Sequence, residues 1–371
     1  LYTSVDIRES KSKFAPIDVN LYPAGFNNIC ALDHEAAGRE MKAFIEKILP
    51  GKDVRKIGLY CESHTKNLMY LDHLAYLKKI LSDEDYEVEI ISSDAELFTV
   101  EGVVVSELKL VSHSKFDVLI KKVNLLDQNY DFIVLNNDQS SPLDIDWSKV
   151  KCPVHPTPYL GWFAREKNQN FEFYHQVASK FCQHFSIDND LIEAKFRAVT
   201  GVDYETKVGL ENLAENVREL LSEIKDPEPK VFVKASQGTY GMGISVVSSA
   251  EEILNMNRKV RNKMDIGKNK KKFTSVLVQE GGETIIKYDG MPAEITIYLV
   301  GGKAVGGFMR ANSERDTNAN LNSKGMVFRK FCISELKENQ DYGMKEATYS
   351  VIARLASLAV SYEINQVTQQ G

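Results

Sequence analysis

The chain has 371 residues, 43% of them hydrophobic and 26% charged, with a formal net charge of −6. That balance is the usual one for a globular protein, and the length suits two or three domains with a large core. The acidic total argues against nucleic acid or an anionic membrane as partner, and no run approaches the ~18 consecutive apolar residues of a membrane span.

Residues 1–8 lack a signal-peptide pattern. Lys56 to Cys61 predicts a short apolar strand, followed by polar Glu62-Ser-His-Thr-Lys-Asn67 and a helical pattern over 68–81. Residues 86–92, 116–120 and 131–135 read as further strands. Strands alternating with helices predict an α/β layer with a mostly parallel sheet, whose ligands sit beyond the C-terminal strand ends. Residues 62–67 and 136–141 fall there. Three prolines in 152–159 mark a boundary, and 171–185 and 209–224 read as amphipathic helices. The basic stretch 258–272 reads as a solvated helix end and loop. Residues 275–280 predict a strand, 294–310 two strands joined by Gly301-Gly302, and 311–324 a polar loop. A helix is expected over about 345–359, then an extended segment 362–365. Cys30, Cys61, Cys152, Cys182 and Cys332 are scattered and odd in number, and no two histidines are spaced as a metal pair. We expect reduced thiols in a cytoplasmic protein, without a disulfide frame or zinc site.

Residues 231–247 hold the strongest signal. A β-branched and aromatic run ends in Lys234; Gly238, Gly241 and Gly243 follow, then a second β-branched run. This reads as a hairpin with a bare-backbone turn, open to a structural role or to cradling a phosphate, with Lys234 adding charge. It matches neither the Walker A nor the Rossmann pattern.

The order of a strand lysine, a Gly-rich hairpin, a strand ending in Gln279-Glu280, a Gly-Gly hairpin ending in Arg310 and an Asn-rich loop resembles the ATP-grasp ligases, glutathione synthetase among them. Ser4-Val-Asp-Ile-Arg8, Ala15-Pro-Ile-Asp-Val-Asn-Leu-Tyr-Pro-Ala-Gly-Phe-Asn-Asn28 and 62–67 are similar to the proteobacterial glutamate–cysteine ligases first recognised in acidophilic iron oxidisers. The resemblance implies an ATP-grasp α/β (α+β) fold: a parallel α/β substrate domain over 1–155, a helical segment over 156–229, a Gly-rich lid over 230–290 and an antiparallel-sheet subdomain over 291–371. It implies that ATP and Mg²⁺ join glutamate to cysteine through γ-glutamyl phosphate, the first step of glutathione synthesis. Partners are then small molecules, with no nucleic acid or membrane; homo-oligomerisation is left open.

On this resemblance Arg310, Lys234 and Asn320 are the catalytic candidates, with Asn322 in the same loop. Lys167, Lys234, Gln237, Gly238, Thr239, Tyr240, Gly241, Gly243, Gln279 and Glu280 would hold the nucleotide. Arg8, Asp18, Asn20, Asn27, Asn28, His64, Thr65, Lys66, Asn67 and Asn137 are the substrate candidates. Glu363 and Asn365, two apart on an extended strand, would share the metal. Trp162 and Phe163 read as core, and Glu294 as a solvated strand residue. The alternatives are another ATP-grasp ligase joining a different carboxylate and amine, or a non-catalytic nucleotide-binding module.

Overall fold

The computed structural model describes residues 2–63, 66–112, 116–237, 243–265, 274–334 and 343–368. The chain opens with an antiparallel hairpin of β1 (Tyr2–Glu9) and β2 (Phe14–Asn20), followed by helix α1 (Ala31–Ile48). The predicted strand and helix appear as β3 (Lys56–Cys61) and α2 (Leu68–Ser82). Then come β4 (Glu87–Ser92), a small ladder of β5 (Thr99–Val100) and β6 (Val103–Val104), β7 (Glu107–Val111), β8 (Asp117–Lys122), β9 (Phe132–Asn136) and β10 (Val154–His155). The first sheet has the order β10-β9-β3-β4-β8-β7 and is parallel except where β7 meets β8. It is the parallel layer the sequence pattern predicts. Ile57 and Leu59 pack with Leu71, Leu74 and Leu77 of α2. From β3 the chain goes to β4 on one side and later returns to β9 on the other. A crevice therefore opens beyond the strand ends, between Glu62 and the residues after Asn136.

Helix α3 (Lys167–Phe185) starts at Lys167, earlier than the expected Phe171. Beyond it lie β11 (Phe196–Thr200), α4 (Leu210–Glu223), β12 (Lys230–Ala235), β13 (Ile244–Val247), α5 (Ala250–Leu254), α6 (Arg258–Asp265) and β14 (Ser275–Gly281). Their strands form an antiparallel second sheet, β11-β14-β12-β13. Strand alternation turns Val231, Val233, Val276 and Val278 onto Leu213, Val217 and Leu220 of α4. Phe232, Lys234, Leu277 and Gln279 are left on the opposite face. Of the basic stretch 258–272, α6 covers the first part and 266–272 lie outside the described residues.

The third sheet joins the two far parts of the chain. Short β15 (Lys287–Tyr288) pairs with β16 (Met291–Val300), and β17 (Lys303–Asn312) and β18 (Met326–Phe331) follow in the order β18-β17-β16-β1-β2. The β16–β17 turn uses Gly301 and Gly302 at φ of 55° and 79°, which only glycine adopts without strain. Residues 2–20 were expected within the 1–155 unit, but β1 pairs with β16. Val5, Ile7 and Val19 are apolar on one face and find their cover beneath α7 (Gly343–Thr368), against Ile352, Ala353, Ala356 and Val360. No helix among the described residues is long and apolar enough to cross a membrane.

Two expectations are corrected here. The segment 362–365 is not extended, because the buried positions of α7 continue past Ala359 through Val360 and Glu363. Cys30 and Cys332, 302 positions apart, are joined as a disulfide with Cα atoms 5.5 Å apart. The neighbouring Asp33 draws the chain there, accepting from the backbone N–H groups of Ile333 (2.9 Å) and Ser334 (3.0 Å). Spacing along the sequence carries no signal of such a contact. Cys61, Cys152 and Cys182 are free thiols.

Candidate active site

The polar face of the third sheet looks across at the second. On β1 Asp6 and Arg8 lie two apart, as do Asp18 and Asn20 on β2, so each pair shares a face while Val5, Ile7 and Val19 point to α7. The ladders place Asp6 opposite both Asp18 and Thr296, and Glu294 opposite Arg310. Between the sheets is a cavity of about 50 Å³ lined by these charged groups, by Phe232 and Lys234 of β12, and by Lys167, Asn320 and Asn322.

Its charges are interlocked. Arg310 donates to Asp6 at 2.8 Å and Glu294 at 2.7 Å. Arg8 donates to Glu294 and to the Ala319 carbonyl, both at 3.0 Å, which ties the loop after β17 to the sheet. Lys167 pairs with Asp18. Lys234 Nζ donates to Gln279 Oε1 at 2.7 Å and the Ile17 carbonyl at 3.0 Å, bridging the two sheets. Burial, then the Lys167 charge, push the Lys234 pKa down to about 7 against the pull of Asp18. Burial raises Asp6 despite Arg310, whereas for Asp18 and Glu294 burial is outweighed by the neighbouring cations and both are lowered. Four cationic side chains thus face three carboxylates. Arg8 Nε, Arg310 Nε and Gln279 Nε2 are buried donors with no partner among the described residues. Buried donors are normally satisfied, so two orphans on residues lining the cavity and a third beside Lys234 point to a ligand rich in acceptor oxygens.

Asp18, Arg310 and Asn322 also line a second cavity of about 240 Å³, so the two adjoin. Glu62 and Asp138 at the crevice of the parallel sheet form part of its wall, and Trp162, Tyr298, Phe308 and Phe328 supply apolar surface. Asn136 is fixed at its base. Its Oδ1 accepts from Tyr70 OH (3.2 Å) and from His73 Nε2 (2.9 Å), and its Nδ2 donates to Tyr2 OH (3.0 Å) and the Pro23 carbonyl (3.2 Å).

The expected site residues divide accordingly. Arg8, Asp18, Asn20, Lys167, Lys234, Arg310, Asn320 and Asn322 line the joined cavities, and Gln279 stands beside Lys234. Glu280 alternates to the other face of β14, where Lys13 pairs with it at 2.7 Å. Asn67 caps α2, its Oδ1 accepting from Met69 and Tyr70 N–H, and Lys66 is exposed. Asn137 donates to the Cys61 carbonyl at 3.3 Å and lines a different cavity. Asn27 and Asn28 form a turn outside both linings. Gln237 and Gly243 lie on either side of 238–242 in the sequence, while Gly238, Thr239, Tyr240, Gly241, His64 and Thr65 lie outside the described residues.

The metal pair does not form. On α7 two residues apart lie on nearly opposite faces, so Glu363 is buried and Asn365 exposed. Glu363 instead accepts from Arg165 Nη2 at 2.9 Å and Asn170 Nδ2 at 3.0 Å. Glu294, read as a solvated strand residue, is one of the most enclosed carboxylates of the first cavity, and Trp162, read as core, is buried and also lines the second. Asp6 and Tyr70 were not anticipated, and Glu62 and Asp138 only as members of the polar clusters 62–67 and 136–141. For Asp6 the two-residue spacing from Arg8 was the only local signal.

A family model described as GshA: Glutamate-cysteine ligase matches residues 1–364. No curated protein matches the chain. A crystal structure at 1.90 Å of a protein from Methylobacillus flagellatus KT, assigned as a gamma-glutamylcysteine synthetase, is 32% identical with a TM-score of 0.86, covering 98% of this chain and 89% of that one. The D-alanyl-alanine synthetase A of Vibrio cholerae O1 biovar eltor str. N16961 is 12% identical with a TM-score of 0.40, over 85% and 82% of the two chains, too remote to bear on fold or function. With nearly its whole length matched, the chain is an enzyme of the glutamate–cysteine ligase family.

Proposed function

We propose that the joined cavities are the active site of an ATP-dependent ligase that makes γ-glutamylcysteine from glutamate and cysteine in the cytoplasm. The family match over residues 1–364 carries this reading, and the cavity chemistry supports it. The second sheet would act as the lid of an ATP-grasp arrangement. The third sheet, including residues 2–20, would be its base. The three orphaned donors and four cations suit the phosphates of a nucleotide.

A γ-carboxylate oxygen of glutamate attacks the terminal phosphorus of ATP, and ADP leaves. The cysteine amine then attacks the carbonyl carbon of γ-glutamyl phosphate, phosphate leaves and the amine loses a proton. Lys234 and Lys167 would neutralise phosphate charge, and Arg310 would face the transferring group with its unpartnered Nε. Glutamate, cysteine and nucleotide must lie together, which two adjoining cavities suit. Asp6, Asp18 and Asn20 put three hard oxygen donors on one face of the β1–β2 hairpin and would hold Mg²⁺ in place of the Glu363–Asn365 pair. When bound, that ion would offset charge on the phosphate oxygens.

The test is phosphate release from ATP with each amino acid alone and in pairs. Release that requires Mg²⁺, glutamate and cysteine together is expected. Another preferred pair would replace the substrate assignment, and no turnover with any pair would leave a nucleotide-binding module.

A further inference from the structure

We propose that the 240 Å³ cavity holds the glutamate whose γ-carboxylate is activated, with Glu62 and Asp138 receiving its α-ammonium group. This assignment rests on the ligase reading above. The cavity reaches Arg310 and Asn322 at its junction with the phosphate-facing cavity, and Glu62 and Asp138 at the crevice of the parallel sheet. Arg310 Nε is a buried donor without a partner among the described residues, suited to a carboxylate oxygen. A ligand with an anionic end and an ammonium end therefore fits the charges along the cavity, and Trp162 and Phe308 offer surface to a short aliphatic stem between them.

Both substrates carry an ammonium and a carboxylate, and the chemistry separates them. The acceptor's amine must be neutral when it attacks and must lie at the phosphoryl end. The donor keeps its α-ammonium throughout, away from the reacting carbon. Two carboxylates removed from the phosphate-facing cavity suit the group that stays charged. They are also rigidly placed. Glu62 Oε1 accepts from Asp138 N–H at 2.7 Å, Tyr70 OH accepts from Glu62 N–H at 2.8 Å, and Asp138 Oδ1 accepts from Ser140 N–H at 3.0 Å. Positions fixed in this way discriminate by charge and by length.

Glu62→Gln and Asp138→Asn test this, since each amide keeps an oxygen for those bonds and removes the charge. Steady-state rates would be measured with saturating ATP, Mg²⁺ and cysteine, using glutamate or glutarate, which lacks the α-amino group, as donor. The expected result is a rise of about 10- to 100-fold in KM for glutamate, the loss typical of a charge-assisted contact. The KM for cysteine should not change, and the preference for glutamate over glutarate should shrink by the same factor. A rise in the cysteine KM with the glutamate KM unaltered, or an intact preference against glutarate, would overturn the assignment. Failure of the ligase reading shows separately, as wild-type protein that releases no phosphate from this pair. Calorimetric titration of wild type and Glu62→Gln with glutamate then still decides: weaker binding by the variant supports the site, and equal binding sinks it.

Discussion

His73 offers the most quantitative test of how the base of the site is built. It lies fully buried on α2, with Nδ1 accepting from Phe26 N–H at 3.3 Å and Nε2 donating to Asn136 Oδ1 at 2.9 Å. A backbone N–H can only donate, so Nδ1 must be bare and the ring neutral. Protonation would set a second N–H against that of Phe26 and bury an unpaired charge. Burial accordingly lowers the pKa from 6.5 to about 4. In the unfolded chain the ring takes its proton near 6.5 and in the folded protein near 4. Between those values the unfolded state binds more protons, and stability falls as pH falls. At 1.36 kcal/mol per pKa unit the loss reaches roughly 3 kcal/mol by pH 4. His73→Gln is the matched control, because glutamine supplies one acceptor and one donor and does not titrate. Urea unfolding of both proteins at about pH 7.5 and about pH 4.5 should show the wild type losing roughly 2–3 kcal/mol more than the variant. Equal losses would refute the claim that a neutral imidazole underlies Asn136 and the Phe26 turn.

Lys234→Met should weaken ATP binding by roughly 1.5–3 kcal/mol, while the unliganded protein melts no lower because a buried cation has gone; an unchanged dissociation constant would remove Lys234 from the nucleotide site. Since the Lys234 pKa lies at about 7, nucleotide binding above that pH should take up a proton, and calorimetric enthalpies that do not vary with buffer ionisation heat would contradict this. Asp18→Asn should raise the Mg²⁺ concentration needed for half-maximal activity, and identical magnesium curves would move the metal elsewhere. Glu363→Gln should leave that concentration unchanged and lower stability by about 3 kcal/mol, because Arg165 loses its buried counter-charge; a shifted magnesium curve with normal melting would reverse the reading.

Much of the architecture was legible because it rests on local periodicity. The apolar run 56–61 became β3 with the predicted ends, and the helix predicted over 68–81 became Leu68–Ser82. Lys234 and Arg310 stood out because a charge ending an otherwise apolar strand leaves a mark in sequence, whereas Arg8 and Asp18 were named on the family resemblance alone. Failures came where a residue's role depends on distant partners. The spacing of Glu363 and Asn365 suits a shared ligand only on a strand, and α7 separates them. Asn67 and Asn137 have the composition of ligands, but the first satisfies a helix N-terminus and the second a strand carbonyl. Glu62 and Asp138 were expected beyond the strand ends as members of polar clusters, but that these two meet follows only from the topology of the parallel sheet. The Cys30–Cys332 contact likewise follows from tertiary packing alone.

The third sheet has a consequence for biosynthesis. β1 is buried along its whole length, yet its partner β16 begins only at Met291. At roughly 5–20 residues per second, a ribosome releases the first hairpin about 15–60 seconds before the strand that covers its edge. Throughout that interval the Tyr2–Glu9 edge has β2 on one side and nothing of its own sheet on the other. Such an edge can pair with another nascent chain or be shielded by a chaperone. Asp6, Arg8, Asp18 and Asn20 are thus synthesised well before the strand that brings them to their working positions.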